Sequence, residues 1–121
     1  MRRLILPILP VLAFAAPAAA QDIAAGEQVF KRHCIVCHSP QAGKNLVGPS
    51  LFGIIGRTAG MVSNFRYSAA NKDSGKVWDE ATLEPYLISP REALPGTTMV
   101  FSGVKDPKQR ADLIAYLRTL K

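Results

Sequence analysis

The chain has 121 residues, with 15 Lys and Arg against 9 Asp and Glu, two cysteines and two histidines. A length of that order accommodates one domain with a modest core, and the positive balance favours acidic over basic partners. The basic residues are scattered instead of gathered into an arm, so nothing marks a nucleic-acid partner.

Arg2 and Arg3 precede an apolar run from Leu4 to Ala16, and Ala18, Ala19 and Ala20 precede polar Gln21 and Asp22. That order predicts an export signal over residues 1–20, cleaved after Ala20, and a mature domain over residues 21–121. A retained anchor would need about 20 apolar residues, and Pro7, Pro10 and Pro17 interrupt this shorter run. No stable membrane insertion is expected after cleavage. Loss of Arg2 and Arg3 takes the formal charge from +6 to +4, so the mature chain stays basic.

Asp22 can cap a first helix whose stripe is Ile23, Gly26, Phe30 and Cys34. Cys34, Cys37 and His38 follow at i, i+3 and i+4, a spacing that presents three side chains to one patch on a helical or near-helical backbone. From Ser39 to Gly60 the glycines and prolines predict loop. A short helical piece is expected over Ser68 to Lys72, and another from Thr82 to Ile88, ended by Pro90. Thr82 is the expected cap there, because it puts Pro85 at the third helical position, where its missing N–H costs nothing, whereas an earlier cap at Asp79 would leave a broken bond. The last helix is the clearest: Asp106 as cap, Pro107 at the first position, Gln109 three residues after the cap, then Leu113, Tyr116, Leu117 and Leu120. Gly26 lacks side-chain bulk, so a close crossing of the two terminal helices is expected. With no β-alternation and no repeat, the fold class is all-α with long loops.

Four chemistries fit "HCIVCH", residues 33–38: a disulfide, a thioredoxin-like redox pair, a zinc site, or covalent attachment of a c-type haem. A disulfide over two intervening residues stabilises little and leaves His38 unexplained. A redox pair would follow a strand, and a structural zinc site would draw ligands from a second segment. Haem attachment uses both thiols and His38, and it is the reading favoured. His33, next to Cys34 on the helix, points away from His38 and reads as an exposed polar residue. A second axial ligand is then needed. Met99 in "LPGTTMVF" is the candidate, framed by the turn at Pro95 and Gly96 and the hydroxyls of Thr97 and Thr98; packing is the competing reading for any methionine.

Five segments together resemble class I cytochrome c of the mitochondrial and bacterial type: "CIVCH", "GPSLFGIIGRTAG", "YSAANK" with "VW", "LPGTTMVFSGV" and "RADLIAYL". The resemblance covers nearly all of the mature chain. It implies one covalent haem c held by Cys34 and Cys37, with His38 and Met99 as axial ligands to iron. It implies that the Pro49 carbonyl accepts the proximal histidine's N–H, that Arg57, Tyr67 and Trp78 contact haem propionates, that Tyr86 and Thr97 lie near the methionine and the propionates, and that Asn71 lies near a buried water. Ordinary packing is the alternative for each aromatic. The chain departs from the family's lysine ring at Gln28, His33, Leu46, Glu92 and Thr98, leaving Lys31, Lys44, Arg91 and Lys105 as a thinner basic rim. Pro85 also departs from the pattern.

The function implied is electron transfer, not enzymatic catalysis. The expected protein is a monomeric periplasmic one-electron carrier between a quinol:cytochrome c oxidoreductase and a terminal oxidase or photosynthetic reaction centre, meeting redox proteins with acidic docking surfaces. The alternatives are a dedicated acceptor for a periplasmic dehydrogenase and, from another class, a haem peroxidase or gas sensor, which would need Met99 labile.

Overall fold

Asp22 starts the first helix as its chemistry predicts, its Oδ1 accepting the Ala25 N–H at 3.0 Å. The computed structural model describes residues 21–121, so the export leader and its cleavage point lie outside the described residues. Helix α1 runs Ile23–His33 and buries Gly26, Val29 and Phe30. Ile23 is 52% exposed, contrary to its place on the expected stripe, because the close approach to the last helix falls at Gly26, one turn further on.

That last helix, α5, spans Pro107–Arg118, with the Asp106 carboxylate accepting the Gln109 N–H at 2.9 Å. The terminal helices cross so tightly that a Cβ on Gly26 would lie 1.9 Å from the Asp112 carbonyl oxygen. Phe30 and Tyr116 meet beside the crossing with ring centroids 5.4 Å apart. The Asp22 N–H also donates to the buried Asp112 carboxylate at 2.9 Å, tying the start of α1 to α5.

Between them the chain is turns and short helices: α2 over Ala69–Asp73, α3 over Glu80–Ile88 and α4 over Pro90–Ala93. Ser68 caps α2 through its hydroxyl. The expected start of α3 at Thr82 is wrong. Asp79 is the cap, its carboxylate accepting the Thr82 N–H at 2.8 Å, and Pro85 lies inside the helix. A carboxylate cap and an extra turn outweigh one lost bond, since Ala81, whose carbonyl loses its donor, and Pro85 both face solvent. Pro90 then both ends α3 and opens α4, at a first position that suits its ring.

Among the described residues one isolated bridge, Thr58 to Val77, is the only β-pairing, and the fold is all-α. No described helix is long and apolar enough to cross a membrane. The core joins Val29 and Phe30 of α1, Leu83, Tyr86 and Leu87 of α3, and Leu113, Ile114 and Leu117 of α5 to Ile54 and Trp78 of the loops. It forms a wall on which the loops leave a cavity.

Candidate cofactor site

Although α1 ends at His33, the backbone continues for one more turn. The Cys37 and His38 N–H groups both donate to the Cys34 carbonyl, at 3.1 and 2.9 Å. The three side chains therefore reach one cavity of about 250 Å³. His33 is exposed, as expected, but its ring stands 6.0 Å from that of Phe101 at the cavity's edge instead of pointing away.

His38 is buried, and its Nδ1 donates to the Pro49 carbonyl at 2.7 Å. A carbonyl only accepts, so the proton sits on Nδ1 and Nε2 keeps a free lone pair. Burial pushes the imidazole below its ordinary pKa, the Pro49 bond works against that, and the Arg57 charge reinforces it. Gly48 makes the packing possible: a Cβ there would come 2.3 Å from the His38 ring. Its importance was missed in the sequence, although a glycine directly before Pro49 was the available signal.

Cys34 and Cys37 are unpaired. Burial, and secondarily the neighbouring Cys37, push the Cys34 thiol up to about 11, the opposite of a reactive redox thiolate. Among the described residues no three His, Cys, Asp or Glu side chains are placed as the ligands of one metal ion.

Met99, on the segment between α4 and α5, lines the same cavity. Its Sδ accepts the Tyr86 hydroxyl at 3.1 Å, and its backbone N–H donates to Thr97 Oγ1 at 3.2 Å. Burial raises the Tyr86 phenol's pKa, with Thr97 opposing, so it stays protonated as a donor. Trp78 packs on Tyr86 at a centroid distance of 4.7 Å. Arg57, half-buried, donates to the Ser50 carbonyl at 2.9 Å and to that of Phe52, and Tyr67 Oη accepts the Val62 N–H at 3.1 Å. Asn71 Oδ1 is buried with no hydrogen-bond partner.

All eleven residues singled out from the sequence line this one cavity. Sequence reasoning did not anticipate its aliphatic wall: Leu83, Leu87, Leu113 and Leu117 lie in helices, where apolar positions read as core whatever they face, and Leu51 and Ile54 lie in a loop with no period to mark a face. The donor set fits a large, mostly apolar group with a polar end. It offers two thiols for thioether bonds, an imidazole with its Nε2 lone pair free, a thioether sulfur, an aliphatic wall, and Arg57 with the unpaired Asn71 oxygen as polar contacts.

The comparisons agree with that chemistry. The family model described as Cytochrome c matches residues 23–121. The chain is 50% identical to cytochrome c2 of Blastochloris viridis over 119 residues, covering 98% of this chain and 93% of the relative. It is 47% identical to cytochrome c of Chlamydomonas reinhardtii over 104 residues, 85% of this chain and 93% of the relative. The solved cytochrome cH from Methylobacterium extorquens superposes with a TM-score of 0.76 at 46% identity, covering 81% of this chain and 98% of that one.

Proposed function

Because the chain belongs to the cytochrome c family, whose members carry one covalent c-type haem and transfer electrons without being enzymes, we propose that it is a periplasmic one-electron carrier, shuttling between a quinol:cytochrome c oxidoreductase and a terminal oxidase or photosynthetic reaction centre. In this reading Cys34 and Cys37 would hold the haem covalently, and His38 and Met99 would supply the nitrogen and sulfur that ligate its iron. The bound group supplies a ferric/ferrous couple.

The residues of the chain set the terms on which that couple works. Pro49 fixes the His38 ring and its tautomer. Tyr86 fixes the Met99 sulfur. The aliphatic wall excludes water and favours the less charged oxidation state, which raises the potential, as does thioether ligation. Arg57, Tyr67, Trp78, Thr97 and Asn71 serve the polar end.

The observation that carries the reading is the convergence of Cys34, Cys37 and His38 with Met99 on one cavity. With the methionine sulfur held by Tyr86, a closed coordination sphere is favoured over a peroxidase or gas sensor. The order of residues 1–20 supports export, and the alignment with cytochrome c2, covering 98% of this chain, extends into that segment. The mature domain over 21–121 is taken to be monomeric.

Formal charge supports partners with acidic docking surfaces, since the mature chain keeps +4 of the +6. A dedicated acceptor for a periplasmic dehydrogenase is the second reading. It is favoured by the exposure of uncharged Leu46, Val47, Thr98 and Val100 and of acidic Glu92, where a lysine ring would otherwise serve general docking. An optical redox titration of the purified protein tests the carrier. A single one-electron transition with a low-spin ferric spectrum and no carbon monoxide binding at neutral pH is expected; a high-spin ferric form that binds carbon monoxide readily once reduced overturns it.

A further inference from the structure

Arg110 is 7% exposed, although it lies near the start of α5, a stretch that otherwise reads as solvated. Its Nη1 donates to the carbonyls of Val104 at 3.0 Å and Lys105 at 2.9 Å. Its Nε donates to Glu84 Oε1 at 2.7 Å. These acceptors belong to two different elements. Val104 and Lys105 end the strap, residues 94–106, that carries Met99, while Glu84 lies on α3, two positions before Tyr86.

The strap and the end of α3 are in contact directly. The Val104 N–H donates to the Leu87 carbonyl at 2.7 Å, Lys105 Nζ donates to the Ile88 carbonyl, and Gly103, at φ +105°, passes so close that a Cβ would lie 1.9 Å from the Ile88 oxygen. Arg110 closes this junction from α5. We propose that Arg110 is a positioning residue for Met99, one buried guanidinium holding the strap that bears the methionine in register with the helix that bears its hydrogen-bond donor, Tyr86. The inference rests on Met99 being the axial ligand.

A buried cation is costly to desolvate, and an apolar side chain would often fill such a place with no loss of stability. What an apolar side chain lacks is the rigid, planar fork that addresses two carbonyls and a carboxylate at once. Lysine keeps the charge without the fork. Arg110→Lys therefore separates register from charge.

The test uses the haem-loaded full chain as wild type, Arg110→Lys and Glu84→Gln, with two readouts. The first is amide hydrogen exchange at Val104, on the strap, against Leu113 and Ile114, which are 0% exposed in the core. The second is the fraction of reduced protein that binds carbon monoxide. Bonds to a charged group of this kind correspond to roughly a tenfold change in local opening. Arg110→Lys is expected to speed Val104 exchange about tenfold, beyond any change at Leu113 and Ile114, and to raise carbon monoxide binding. Glu84→Gln is expected to do the same by about two- to threefold, because that carboxylate is 41% exposed and screened. If Arg110→Lys does not fold, Glu84→Gln carries the comparison. Equal acceleration of strap and core amides, or no change in either readout, overturns the proposal by making Arg110 a general stabiliser. Ready carbon monoxide binding by the wild type instead overturns the ligand assignment on which the proposal rests, and a low wild-type value keeps the two failures apart.

Discussion

The Tyr86 hydroxyl donates to Met99 Sδ at 3.1 Å, joining the middle of α3 to the strap across the cavity lining. A bond to the sulfur draws electron density from the lone pair that a metal would share. Ferric iron needs that donation more than ferrous iron does, so the bond favours the reduced state.

Tyr86→Phe keeps the ring on Trp78 and removes only the donor. The potential should fall. A net hydrogen bond of about 0.5–1.5 kcal/mol corresponds to roughly 20–60 mV for a one-electron couple. Potentiometric titration of both proteins measures it; a rise, or no change, would show that the hydroxyl does not act on the sulfur.

The two thiols lead to a second expectation. Cys34→Ala together with Cys37→Ala leaves His38 and its Pro49 bond in place but removes both attachment points. Haem should then be lost on denaturation, while the wild type keeps it. Haem staining of a denaturing gel reads the difference, and stain retained by the double variant would exclude thioether attachment.

The cofactor site was more legible in the sequence than the packing that supports it. C-x-x-C-H and a methionine between a Pro-Gly turn and the last helix are local patterns, and the chemistry they need is written in residue types. Gly26 was legible too, because a missing side chain in an amphipathic stripe has few explanations. Arg110 and Asp112 were not. Both are charged residues in a helix, a pattern that reads as solvent-facing, and only the fold shows that 7% and 4% of their surfaces remain exposed. Ile23 failed in the opposite sense, since periodicity marks a face of a helix without marking how far along it a partner reaches. At α3 the proline rule favours Thr82 over Asp79 because it counts the bond Pro85 breaks and omits the Thr82 N–H that the Asp79 carboxylate satisfies.

That competition makes Pro85 a test of the energetics. An interior proline costs about 3 kcal/mol in a helix, reduced here because Ala81 and Pro85 face solvent. Proline also restricts the unfolded chain, worth about 0.4–1 kcal/mol. Pro85→Ala should therefore stabilise the protein by about 1–2 kcal/mol, seen as a higher denaturant midpoint. A lower midpoint would mean that the ring's stiffness matters more than the missing bond.

Gly26→Ala should do the reverse, although alanine is the better helix former by about 1 kcal/mol. Its Cβ would sit 1.9 Å from the Asp112 carbonyl oxygen, a backbone atom that moves only if α5 moves. Overpacking of this kind costs about 1–3 kcal/mol or more. Denaturant unfolding should show a net loss of about 2 kcal/mol, and a stabilised variant would mean that the helices can separate cheaply.

Asp112 ties the start of α1 to α5 electrostatically as well as sterically. The Asp22 N–H, and then Lys108, hold its carboxyl below the usual carboxylate range. A folded pKa lower than the unfolded one, about 3.9, means that the stabilisation is complete above that value and is lost as pH falls through the lower folded value. Asp112→Asn keeps an acceptor for Asp22 but cannot carry the charge that Lys108 pairs with at 2.6 Å. The variant should be less stable than the wild type near neutral pH, and the gap should close progressively below about pH 4. Denaturant midpoints of the two proteins at pH 6, 4 and 2.5, compared as differences so that the other carboxylates cancel, give the result. A gap that stayed constant down to the lowest pH would show that the ionised carboxylate contributes nothing to holding the terminal helices together.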